Sequence, residues 1–155
     1  MKFIVVAVGS RMPAWIDAGF EEYARRLPRG ARIELREIKP EKRTGAGTER
    51  ILEAEAQRIR AALPPGCETV VLDERGKVLT TAELAARIAR WQEAGRDIAW
   101  IIGGADGLHP ELKRGADRIL SLSAFTLPHG LARVLLAEQL YRAVSLLAGH
   151  PYHRE

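Results

Sequence analysis

The sequence predicts an α/β fold, an open and mainly parallel sheet with helices on both faces, in a single domain spanning residues 1–155. Three observations lead there. Short apolar runs bounded by turn residues alternate with helical patterns along the whole chain, the pattern of repeated strand–helix units. No linker, internal repeat or low-complexity stretch interrupts that alternation. Finally, 155 residues that are 46% apolar and 28% charged can build one continuous core but not two ordinary ones.

Lys2–Val8 opens the chain as a buried strand. Pro13 suits the first position of a helix running to about Leu27, with Trp15, Ala18, Gly19 and Tyr23 near one face. Ala31–Lys39 alternates Ile33, Leu35 and Ile38 with charge, as a strand with one polar face does. A charged, glycine-containing loop, Pro40–Gly47, leads to Thr48, read as the cap of a helix ending at Leu63. Thr69–Leu72 is a short strand ending in Asp73. Thr80 and Glu83 then have capping-box spacing at the start of a helix that stops near Gly95. Asp97–Ile102 reads as a central strand, His109–Ala116 as a short helix, and Arg118–Ser123 as the last strand. A long helix from His129 to about Ala148 completes the order.

The bulk properties exclude several classes. Phe3–Val8 is the only long apolar run near the start, far short of the roughly 20 residues a membrane span requires. Arg11 and Pro13 follow it without a small-residue cleavage site, so no membrane partner or export signal is expected, and cytoplasm is the default. The single Cys67, beside Pro64-Pro65-Gly66, cannot form an internal disulfide and reads as a half-buried turn neighbour. The net charge of +4 has basic clusters at Arg25, Arg26, Arg29, Arg32 and Arg36, then Lys39, Lys42, Arg43 and Arg50. Such surfaces attract polyanions, although Glu21, Glu22, Glu34 and Glu37 are interspersed.

In open parallel sheets ligands bind beyond the carboxyl ends of the strands. That rule singles out three loops, at Asp73–Lys77, Gly103–Leu108 and Ser123–Gly130. None carries a phosphate-binding P-loop or a dinucleotide fingerprint, and no residue spacing offers a metal site; His150 and His153 merely flank Pro151-Tyr152. Gly103-Gly104-Ala105-Asp106-Gly107 ends an apolar strand with exposed backbone that a ligand can approach, or is simply a tight turn. Leu122-Ser123-Ala124-Phe125-Thr126-Leu127 mixes apolar walls with two hydroxyls, as an adenine with its ribose requires, or caps the next helix. That helix is apolar nearly all round, which calls for burial on more than one side; a two-fold dimer partner is the simplest supplier. Within it Glu138 and Arg142 stand at ion-pair spacing. The tail, His150–Glu155, concentrates two imidazoles, a phenol and a guanidinium in six residues, groups able to move a proton, stack on a base and grip phosphate.

Taken together, GGADGL, SLSAFTLPHG, RVLLAEQLYRA and the terminal HPYHRE resemble the RlmH-type enzymes of the SPOUT class, with VAVG, MPAWIDAGFEEYARRL and LDERGK extending the likeness over the full length. The resemblance implies a C-terminal trefoil knot, which strand–helix alternation alone does not reveal. It implies a methyltransferase that uses S-adenosylmethionine, without metal, to methylate N3 of a pseudouridine (position 1915, helix 69) in 23S rRNA of the ribosome. The donor contacts would be Leu72, Gly103, Leu122, Ser123, Ala124, Phe125, Thr126 and Leu127. His153 is the candidate proton acceptor, Arg142 and Arg154 the candidate phosphate or carbonyl contacts, and Tyr152 the candidate stacking group. A homodimer is implied as well. The competing reading is a ribosome-associated binding or assembly factor that keeps the fold without turnover; a dinucleotide-dependent oxidoreductase is disfavoured by the missing glycine fingerprint.

Overall fold

The computed structural model describes residues 1–43, 45 and 47–154, with only the backbone at 153 and 154. Five strands, β1 (Lys2–Val8), β2 (Arg32–Ile38), β3 (Glu68–Val78), β4 (Ile98–Ile102) and β5 (Arg118–Ser121), form one sheet in the order β2-β1-β4-β3-β5. Every pairing is parallel. Helices α1 (Ala14–Ala24), α2 (Thr48–Ala62), α3 (Thr81–Ala94), α4 (Pro110–Gly115) and α5 (His129–Leu147) alternate with the strands, as the sequence predicts.

A strand covered on both faces needs apolar residues at every position, not every second one. Accordingly, Phe3 to Ala7 are fully buried in β1 and all of β4 is buried. Phe3, Val5, Ala7 and Trp100 face one layer, containing Phe20 of α1, Ile88 and Trp91 of α3, and Leu136 and Leu140 of α5. Ile4, Val6, Val8 and Ile101 face the other, with Ile59 of α2 and Leu112 of α4. The topology explains that division. The β1–β2 and β3–β4 crossovers move one way along the sheet and carry α1 and α3 on one face. The β2–β3 and β4–β5 crossovers move the other way and carry α2 and α4 opposite, as crossovers of a single hand require.

Several boundaries differ from the expectation. Pro13 has extended ψ (145°), so it caps α1 from outside instead of opening it, and Pro28 disfavours helical geometry at Leu27, so the helix stops early. Trp15 is 63% exposed; Ile16 and Phe20 form the inward face. Gly47, not Thr48, caps α2. Thr80 does cap α3, its hydroxyl accepting from the Glu83 amide at 3.1 Å, and Gly95 ends that helix at φ 66°. Ser121 Oγ donates to the Ser123 carbonyl at 2.7 Å, turning the chain out of β5 before Ser123.

The largest departure is β3, which continues past Asp73 to Val78. Leu120 of β5 is the register partner of both Leu72 and Lys77, so the same strand pairs with it twice. Gly76 makes the second approach possible, because a Cβ there would lie 2.6 Å from the Leu120 carbonyl carbon. Helix α5 is also placed differently from the expectation. It packs between α1 and α3 in one layer, and no residue from 129 to 146 is exposed, so the chain itself covers much of the surface assigned to a partner. No helix among the described residues is long and apolar enough to cross a membrane.

Candidate active site

Beyond the carboxyl ends of β4 and β5, and beside the middle of β3, lies a cavity of about 600 Å³, within the range of small-molecule sites. All three loops selected from the sequence contribute to it. Leu72, Asp73, Glu74 and Arg75 form one wall, Gly103 to Leu108 a second, and Leu122, Ser123, Phe125, Thr126 and Leu127 a third. Seven of the eight expected donor contacts therefore converge. Ala124 is exposed and does not line the cavity.

Local chemistry shapes each wall. The Phe125 amide donates to Ser123 Oγ (2.9 Å), and Thr126 Oγ1 donates to Glu74 Oε2 (3.2 Å), tying the third wall to the first. Asp73 takes an ion pair from Lys113 at 2.6 Å and accepts from the Arg75 amide at 2.9 Å; the lysine, more than the amide, holds its carboxyl below the usual range. Asp106 is paired with Arg43 across 2.8 Å. At Gly103 a Cβ would lie 2.8 Å from the Gly107 carbonyl oxygen and from Leu108 Cγ, so only glycine fits the turn.

Below this turn lies a polar network around the buried Arg133 that sequence reasoning missed. His129 Nδ1 is 2.7 Å from the Gly103 carbonyl oxygen, and Arg133 Nε donates to His129 Nε2 at 2.9 Å. Arg133, 1% exposed, also donates to Glu37 Oε2 (2.8 Å) and the Gly9 carbonyl (3.1 Å). Burial, the leading cause, depresses the His129 pKa, assisted by the adjacent guanidinium. The available signal was the i, i+4 spacing of His129 and Arg133 on a helix otherwise nearly all apolar.

The tail residues gather elsewhere. Arg142 Nε donates to Glu138 Oε1 at 2.7 Å, and its guanidinium lies 4.7 Å from the centre of the Tyr152 ring. Gly149, at φ 72°, turns the chain back, and Pro151–Arg154 form a 3-10 turn that stacks Tyr152 on Tyr141 with centroids 4.6 Å apart. Arg26, just past the end of α1, lies 5.4 Å from the Tyr23 ring centre and 5.8 Å from that of Tyr141, extending the cluster with residues not expected there. Burial, then the Glu138 carboxylate, push the Tyr152 phenol up to about 12. The side chains of His153 and Arg154 lie outside the described residues. Thirteen residues of α5 separate His129 from Arg142, roughly 20 Å at 1.5 Å per residue, so the cavity and the tail cluster occupy opposite ends of the helix. Burial raises the Cys67 thiol pKa, which suits a structural residue and opposes a nucleophilic one.

A parallel sheet with its pocket at the strand ends, and a final helix turned back beneath that pocket, defines an α/β ligand-binding enzyme scaffold. The model of one family, described as "Predicted SPOUT methyltransferase", matches residues 1–153, and the chain belongs to this SPOUT methyltransferase family. Relatives from Nitrosospira multiformis and Nitrosomonas eutropha, both named ribosomal RNA large subunit methyltransferase H, are 63% and 60% identical over 99% of each chain. A solved structure of a probable methylase family protein from Haemophilus influenzae Rd KW20 superimposes with a TM-score of 0.58. At 15% identity over 97% of this chain and 69% of that one, it shares the fold.

Proposed function

We propose that the protein is an S-adenosylmethionine-dependent methyltransferase acting on 23S rRNA in the large ribosomal subunit, at N3 of the helix 69 pseudouridine. The cavity carries this reading: its size, its glycine wall and its apolar and hydroxyl side chains suit a nucleoside. The names of the relatives support the RNA substrate. Leu72, Gly103, Leu122, Ser123, Phe125, Thr126 and Leu127 would hold the donor, while Ala124 stands outside the cavity. When bound, S-adenosylmethionine supplies a methyl carbon made electrophilic by its sulfonium.

The chain's own residues must orient the acceptor and remove its imide proton, and most of the rate gain comes from that positioning. His153 is the proposed proton acceptor. Arg142 and Arg154 hold phosphate or carbonyl oxygens, and Tyr152 presents a ring for stacking. Because the tail cluster lies at the far end of α5 from the cavity, a shared site in a homodimer follows: one protomer binds the donor and its partner supplies the tail. The family implies a C-terminal trefoil knot. A cytoplasmic location is consistent with a ribosomal substrate.

Purified protein, labelled donor and ribosomes lacking the modification test the assignment, with the labelled nucleotide mapped by mass spectrometry. Label in the large-subunit hairpin is expected; label only in tRNA or protein refutes it. Mixing chains with Gly103→Ala and chains lacking Tyr152 to Glu155 tests the shared site. Random pairing in a two-fold dimer leaves about a quarter of the sites intact, whereas a site built within one chain recovers nothing.

A further inference from the structure

Resting on the donor reading above, we infer that His129 is a positioning residue: its imidazole, oriented by Arg133, holds the Gly103–Gly104 peptide plane in the orientation the donor requires. The hydrogen bonds determine the tautomer. A carbonyl oxygen only accepts, so the contact to Gly103 places the proton on Nδ1. Arg133 Nε only donates, so Nε2 carries a lone pair. His129 is thereby the neutral Nδ1–H form, as a half-buried imidazole beside a guanidinium should be.

Arg133 is held in turn by three acceptors on three elements: His129 on its own helix, Glu37 on β2 and the carbonyl of Gly9 after β1. Gly9 permits this approach, since a Cβ there would lie 3.3 Å from Arg133 Nη2 and 3.7 Å from His129 Nε2. The imidazole therefore has little freedom to turn. Its acceptor belongs to the glycine whose neighbours crowd it to 2.8 Å, and both His129 and Gly103 line the cavity. Because a peptide unit is planar, fixing the Gly103 carbonyl also fixes the direction of the Gly104 amide. No atom of His129 needs to react; its effect on transfer passes through the backbone.

The groups facing the ring are Arg133 from α5 and Glu37 from β2, with the Gly103 backbone on the third side. A second proton, on Nε2, would point at the Arg133 Nε–H and break the orienting bond. The folded pKa lies below the ordinary histidine value, so the neutral form persists through neutral pH and the network fails only as pH falls through that lowered value.

The test compares wild type, His129→Ala and His129→Asn. Asparagine can offer an amide N–H near the position of Nδ1, whereas alanine offers none. Three readouts are taken: calorimetric affinity for S-adenosylmethionine, amide hydrogen exchange of residues 103–108 without donor, and the pH dependence of both. Alanine should weaken donor binding about tenfold, the effect of losing one ordering hydrogen bond, and speed exchange in the turn. Asparagine should restore both toward wild type and abolish the acid-side loss that wild type shows. Wild-type affinity in the alanine protein, or asparagine behaving like alanine in a folded protein, overturns the inference. Should alanine not fold, the asparagine variant and the wild-type pH profile decide. Turn exchange that follows this pattern in a protein binding no donor would uphold the positioning of the turn and refute the donor reading instead.

Discussion

At the amino end of α5, hydrogen bonds to two backbone carbonyls and to Glu37 lock a half-buried imidazole and a buried guanidinium in place. At its carboxyl end, Arg142, Tyr152, Tyr141, Tyr23 and Arg26 meet through ring faces and cations in a partly exposed cluster. The first arrangement gives fixed geometry, which suits a small ligand that must be seized in one pose. The second gives broad, orientation-tolerant contacts, which suit a large polyanion with stacked bases. One helix thus joins a rigid pocket to an adaptable surface, and the roughly 20 Å between them is what makes a two-protomer site necessary in the proposed mechanism.

Removing Tyr152 to Glu155 should break the comparison most visibly. Methyl transfer is expected to fall at least about 1,000-fold, the combined scale of lost positioning and proton removal. Donor affinity by calorimetry should stay within about twofold, since His150, Pro151 and Tyr152, the described side chains of the tail, do not line the cavity of their own chain. If both fall together, the tail belongs to the donor pocket and the two ends of α5 are not functionally separate. The converse change, Gly103→Ala, should weaken donor binding about 100-fold, because overpacking against backbone costs about 3 kcal/mol. The near-ultraviolet dichroism of the tyrosine cluster should not change. A loss of that signal would show that the glycine turn supports the whole helix and not only the cavity.

How legible each end was in the sequence follows from what builds it. The strand-end rule finds the cavity because it is made of loops whose location depends on alternation alone. Hence Asp73–Lys77, Gly103–Leu108 and Ser123–Gly130 could be singled out by that rule, whereas Leu72, Gly103 and the run Leu122–Leu127 are named as donor contacts through the family resemblance. The same rule is silent on β3, because ending a strand at Asp73 is locally correct and only a long-range second pairing with Leu120 carries it on to Val78. Arg133 went unassigned because no periodicity shows where a charged group on a nearly all-apolar helix finds its acceptors; they come from β1 and β2, roughly a hundred residues earlier. Composition pointed to Tyr152 in the tail and spacing paired Arg142 with Glu138 on α5, but Tyr23 and Arg26, which extend the cluster, come from α1 and the turn after it. Trp15 was misgrouped for a simpler reason: aromatic residues fit an apolar face as readily as Ile16 and Phe20 do, and only packing decides between them.

The docked tail has its own signature. The free phenol titrates near pH 10, whereas Tyr152 is pushed up to about 12. The folded state therefore keeps a proton that an undocked tail releases in between. Docking is at full strength below about pH 10 and is lost as pH rises toward the folded value. A phenolate absorbance titration should show a component, Tyr152, still unionised near pH 11, where a free phenol is mostly ionised. Deleting residues 152–155 should remove that component. A Tyr152 that ionises like a free phenol would mean that the tail is undocked in solution, and the contrast between an adaptable and a locked end would become one between a frayed and a locked end.

The smallest expected effect separates side chain from backbone within the pocket. Phe125 is 83% exposed although it lines the cavity, so the fold gains almost nothing from its ring. Its amide, however, is held by Ser123 Oγ, and the loop keeps its shape whatever side chain stands there. Phe125→Ser should therefore leave thermal stability within about 0.5 kcal/mol, as for surface positions generally. If the ring closes over the donor, affinity should drop about fivefold, the scale of roughly 1 kcal/mol for partial burial of an aromatic side chain. Unchanged donor affinity accompanied by a weaker dimer would assign the ring to the partner protomer. A stability loss well above 1 kcal/mol would mean that the third wall depends on its side chains and is less rigid than the first two.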